Sequence, residues 1–92
     1  MSYEVIISPG AAEDLAALPA AVQNAVEQEI LRLAGNPVQF SRATRFPYPP
    51  GQMFQFEHDF EGIRYYLTVL FRYGQDERSI QIFGIGRDSV PL

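Results

Sequence analysis

The sequence predicts an α+β fold in the order β-α-α-β-β-β, a helical hairpin packed on one face of a four-stranded, mostly antiparallel sheet. Three observations predict it. Ile63 to Tyr73, IRYYLTVLFRY, alternates along its whole length and is rich in the aromatic and β-branched residues that suit a pleated, half-buried surface. Two segments of helical spacing, split by Pro19, precede it. Two further alternating segments flank it across short polar turns, which gives an antiparallel meander. The 92 residues form a single domain, 1–92, with one modest core.

In chain order, Tyr3 to Ser8 reads as a short strand with Tyr3, Val5 and Ile7 on one face. Ser8-Pro9 starts a helix: serine caps it, and proline fits a first position where its missing N–H costs nothing. Glu13 and Asp14 lie where negative charge suits the helix dipole. This helix runs from about Pro9 to Ala17. The second covers Ala20 to Ala34, with Val22, Ala25, Val26, Ile30 and Leu33 on its apolar face, and stops at Gly35-Asn36-Pro37. Val38 to Gln52, with Pro47, Pro49 and Pro50, has no period and reads as an extended connector. Alternation resumes over Met53 to Asp59, with Phe54, Phe56 and His58 against Gln55, Glu57 and Asp59. Phe60-Glu61-Gly62 turns into the long strand. In that strand the odd row from Ile63 to Tyr73 is wholly apolar or aromatic and faces the core, while Arg64, Tyr66, Thr68, Leu70 and Arg72 face the other way. Gly74 to Arg78 is a polar loop. Ser79 to Gly86 is the last strand, with Ile80 and Ile82 on one face and Gln81, Phe83, Ile85 and Arg87 on the other. Asp88 to Leu92 is too short for another element. The first strand pairs in parallel, since two helices give the length a crossover needs. The open face is therefore expected to carry Arg64 to Arg72 and also Arg87.

Charge narrows the function classes. Eleven acids against seven arginines, with no lysine, give a net charge of −4. Free nucleic-acid binders draw most of their non-specific affinity from a basic surface. Any RNA or DNA contact here has to come from a local arginine cluster. No apolar run is long enough to span a membrane, and MSYEVIISPG lacks a signal-peptide pattern, so a cytoplasmic protein with no membrane partner is expected. With no cysteine there is neither a disulfide framework nor a thiolate site.

The residues and their order resemble the RelE/ParE superfamily of bacterial type II toxin–antitoxin toxins. YEVIISPGAAEDLAALP is similar to the family's strand and helix start, and AAVQNAVEQEILRLAGNP to its second helix and exit. GIRYYLTVLF resembles its glycine-x-arginine strand, and SIQIFGIGR its closing strand with a terminal basic residue. The resemblance implies first ribosome-dependent mRNA cleavage as an endoribonuclease, through Arg64 and Arg87, with non-enzymatic inhibition of DNA gyrase as the alternative. It also implies neutralisation by a cognate antitoxin. It makes Arg64 similar to the arginine that contacts the scissile phosphate and Arg87 similar to the arginine ending the last strand. Arg45 stands where the family often has a basic residue before the second strand, and with Arg72 it is a candidate RNA contact. The chain departs from the ribonuclease pattern in having Gln55 and Glu57 on the second strand and no tyrosine or histidine in the tail Asp88 to Leu92.

Cleavage by a ribose 2′-hydroxyl needs a base, positive charge on the phosphate oxygens and an acid for the leaving oxygen. Arg64 and Arg87 are the candidate charges, Tyr66 the candidate acid or stacking group, and Glu57 or His58 the candidate base. The alternative for Arg64 and Arg72 is that of strand arginines lying over aromatic neighbours with their heads in water. His58 has no second histidine, and Gly84-x-Gly86 has no following helix, so no metal or cofactor is expected; these glycines read as a bulge or a close backbone approach. Two hypotheses stand: an antitoxin-held toxin, or a module of the same fold that has lost toxin chemistry and serves interaction, as a homodimer or with another protein.

Overall fold

The computed structural model describes residues 2–44 and 51–92. The elements are β1 (Glu4–Ile7), α1 (Pro9–Ala16), α2 (Ala20–Gly35), α3 (Pro37–Phe40), β2 (Arg42–Thr44), β3 (Gly51–Phe60), β4 (Ile63–Tyr73) and β5 (Ser79–Pro91). One sheet holds all five strands in the order β1-β5-β4-β3-β2, with β1 parallel to β5 and every other pair antiparallel. The α+β class and the helical hairpin on one face are as the sequence implies. The strand count is five rather than four.

The sequence devices act locally as read. The Ser8 hydroxyl accepts from the Ala11 N–H at 3.2 Å and Pro9 occupies the first turn of α1. No side chain caps the start of α2, but Gln23 Nε2 reaches back to the Leu18 carbonyl at 2.8 Å and secures the tight turn between the helices. Val22, Val26, Ile30 and Leu33 recur at helical spacing and are buried against Leu67, Val69 and Phe71 of β4 and Ile80, Ile82 and Ile85 of β5. The odd row of β4 is thus the floor of the core. Glu61 and Gly62 take φ of 50° and 74°, the two-residue hairpin turn whose twist matches the strands and in which glycine is at home. At Gly74, which opens the loop to β5, a Cβ would displace the Ser79 hydroxyl from its place.

Three differences from the sequence reading have physical causes. The stretch after Gly35 is not wholly extended. Asn36 Oδ1 accepts from the Gln39 N–H and caps a single further turn, α3, with Pro37 in its first position. Three residues of β2 then pair with Gly51–Met53, too few for alternation to show in the sequence. Residues 45–50, which include Arg45 and the Tyr48-Pro49-Pro50 run, lie outside the described residues. Finally, β5 does not end near Gly86. Asp88 to Pro91 pair with Tyr66 to Ile63, because β4 extends that far and supplies the partner, and the Leu92 N–H closes on the Gly62 carbonyl at 2.8 Å. Among the described residues, no helix is long and apolar enough to cross a membrane.

Candidate functional site

The open sheet face is set by register. The turn at Glu61-Gly62 places Phe60 opposite Ile63, hence Asp59 opposite Arg64, Glu57 opposite Tyr66 and Gln55 opposite Thr68. On the other side of β4, Val90 faces Arg64 and Asp88 faces Tyr66. Two rows therefore cross the face, Asp59–Arg64–Val90 and Glu57–Tyr66–Asp88. Tyr66 is 40% exposed, and Glu57, Asp59 and Asp88 are all exposed.

Arg64 is already engaged. Its Nε and Nη2 donate to the two carboxylate oxygens of Asp59 at 2.9 and 3.2 Å, and Glu57 lies 3.9 Å from Nε. The bidentate fork holds the Asp59 carboxyl below its ordinary value, chiefly through the hydrogen bond from Arg64. The same contact raises the guanidinium, with smaller contributions from the Asp59 charge, the Tyr66 hydroxyl and Glu57. A phosphate approaching Arg64 meets a fork occupied by one carboxylate with a second beside it. Arg72 is also on this face, 3.9 Å over the Phe83 ring. Arg42, on the edge strand, donates to Gln55 Oε1 at 2.6 Å.

Arg87 is not on this face, and the shared-face expectation is corrected here. Phe71 pairs with Ile82 and Leu70 with Gly84, so Phe83 is an extra residue, a β-bulge. An extra residue shifts the parity of everything after it. Ile85 therefore falls opposite Val69 in the core, Gly86 opposite Thr68, and Arg87 opposite Leu67 on the helix side. There the Arg87 Nη1 approaches the Ala17 carbonyl just past α1 at 3.5 Å. The Arg64 and Arg87 side chains thus leave the sheet in opposite directions. Of the sequence candidates, Arg64, Tyr66 and Arg72 share the open face, Arg87 does not, and Arg45 lies outside the described residues. Between the candidate bases, Glu57 shares the face of Arg64, and His58 stands opposite Tyr65 on the other.

Sequence reasoning missed two acids at this site. Asp59 was legible, since a two-residue turn fixes its place opposite Arg64. Asp88 was not, because its strand was not read. A third acid works elsewhere: Asp14 of α1 accepts from the Ile85 N–H at 3.0 Å, on the edge of β5 that β1 is too short to cover. Among the described residues, no three histidine, aspartate or glutamate side chains converge as a metal site.

The fold is that of RelE. The toxin–antitoxin complex RelBE2 from Mycobacterium tuberculosis is similar over 96% of this chain and 100% of its own, with a TM-score of 0.68 and 20% identity. The free E. coli RelE toxin, as a double-arginine mutant, matches over 94% of this chain and 83% of its own at a TM-score of 0.63 and 11% identity. The intact E. coli RelBE complex matches over 92% and 95% at 0.62 and 9% identity. At these identities the likeness is one of fold. No family model matches the chain, and no curated protein matches it.

Proposed function

Starting from a RelE fold whose two candidate arginines point away from each other, we propose that this chain is the toxin-fold member of a toxin–antitoxin pair, and that its open face engages protein rather than cutting RNA. Two of the solved relatives are complexes of a toxin with its antitoxin, which supports an antitoxin as partner. The observation that carries the rest is the state of Arg64, forked onto Asp59 with Glu57 beside it while Arg87 lies across the sheet. Phosphoryl chemistry draws on preorganised positive charge aimed at the developing oxyanion. Here the guanidinium faces carboxylates, and the chain as a whole is at −4. On this reading the protein acts in the bacterial cytoplasm, and its target is a protein, with DNA gyrase the candidate that the fold resemblance supplies.

The endoribonuclease reading keeps one observation in its favour: Arg64 and Tyr66 are neighbours on one accessible face. Under it Tyr66 is the acid or stacking group and Arg72 an RNA contact, and Arg87 has no part on that face. Inducible expression in a bacterial host, with and without the product of any short adjacent reading frame, tests the main proposal. Growth arrest relieved by that product is the expected result. Indifference to expression would leave an interaction module without toxicity.

A further inference from the structure

We infer that the open face around Tyr66 is a docking surface for an arginine- or lysine-bearing protein segment, so that the partner is basic where it touches this chain. The inference rests on the reading that this face binds protein and adds the chemistry of what it binds.

Three features support it. The two rows Glu57–Tyr66–Asp88 and Asp59–Arg64–Val90 place three exposed carboxylates around Tyr66 against one guanidinium, which is hydrogen-bonded to one of the three. Among the described residues, the other arginines of this face are already held, Arg42 by Gln55 and Arg72 over the Phe83 ring. An incoming acidic segment or phosphate meets like charge, whereas a cation meets Glu57 and Asp88 on either side of an exposed tyrosine ring. Beside Tyr66 the sheet also has a recess of about 260 Å³, lined by Gln55, Glu57, Tyr66 and Thr68, which can take the end of a long side chain. The strand edge nearby is a poor alternative for a partner. Beyond β1, the outward Ile85 N–H is taken by Asp14 and the Ser89 N–H by Asp88 at 2.9 Å, and Pro91 has none. Strand addition at this β5 edge finds few donors.

The test uses the isotope-labelled full chain and three probes: an alanine-based helical peptide bearing arginines, its glutamate counterpart, and single-stranded oligouridylate. Amide shifts map where each binds. The arginine peptide is expected to move residues 57, 66, 68 and 88, and the other two probes to leave them in place. Glu57→Gln with Asp88→Asn should weaken the arginine peptide about five- to tenfold, as two solvent-exposed charge pairs would, with an unchanged melting temperature as the folding control. Shifts at Arg64 and Tyr66 with oligouridylate would overturn the inference. So would arginine-peptide shifts centred on the helix acids, full affinity in the double variant, or a free chain already dimerised through this face. None of these readouts depends on toxicity, so an absence of growth arrest would remove the toxin part of the proposed function and leave this result standing.

Discussion

Asp14 should matter far more than its neighbour Glu13, although in the sequence the two look alike as helix-start acids. Asp14 Oδ2 accepts from the Ile85 N–H at 3.0 Å, and the Ser8 N–H meets the Ile82 carbonyl at 2.9 Å, so α1 closes the part of the β5 edge that β1 leaves open. A hydrogen bond to a charged group is worth ~1.5–3 kcal/mol. Solvent at the exposed Asp14 reduces this, and Asp14→Ala should cost ~1–2 kcal/mol. For 92 residues the unfolding entropy is ~0.19 kcal/mol/K, so the melting temperature should fall by ~5–10 °C. Glu13→Ala should stay within ~0.5 kcal/mol, or ~3 °C. Asp14→Asn, which keeps an acceptor oxygen, should fall between them. Thermal unfolding followed by circular dichroism at neutral pH reads all three, and sedimentation of Asp14→Ala should show added self-association from the uncapped edge. Equal melting of Asp14→Ala and Glu13→Ala would refute the role given to this contact.

Three further perturbations probe other parts of the structure. Phe71 is fully buried at the centre of the sheet, and Phe71→Ala should cost ~3–5 kcal/mol of a total near ~5–14 kcal/mol for 92 residues. A denaturant midpoint close to that of the parent would contradict this. Gly74→Ala drives a Cβ into the Ser79 hydroxyl and should cost ~1–3 kcal/mol. Adding Ser79→Gly should restore part of the loss, and strict additivity of the two changes would count against the clash. The Asp59 carboxyl should titrate below its ordinary 3.8, since Arg64 stabilises its charged form. A depressed folded value means that this pairing stabilises the fold above the unfolded value and is lost as pH falls through the folded one. Carboxyl NMR of Arg64→Gln should therefore find Asp59 moved up towards 3.8, and an unchanged midpoint would show that the fork does not hold in solution.

How far the sequence revealed this fold depended on the length over which each pattern ran. β4 was legible to its ends because eleven residues alternate without interruption, and α2 because its apolar face repeats through four turns. β2, with three residues, and α3, with four, are too short for any period to emerge and exist through the partners they meet. The tail of β5 has the same cause. It is a strand because β4 lies beside it, and Pro91 is tolerated there on the edge side. The candidate site turned on a single residue. Gly84 and Gly86 suggested a bulge from sequence, yet only the pairing of Leu70 with Gly84 and Phe71 with Ile82 fixes the extra residue as Phe83. That one insertion carries Ile85 into the core and Arg87 to the helix side. Alternation counted straight through it gives the wrong face for both.

The most direct test of the proposed function is primer extension on a defined mRNA held in programmed ribosomes and incubated with the purified chain. A surface whose arginine is bound to carboxylates and whose second arginine lies across the sheet should leave the transcript intact. Cuts spaced by codon that vanish in Arg64→Ala would contradict it and return Arg64 to the chemistry of a nuclease.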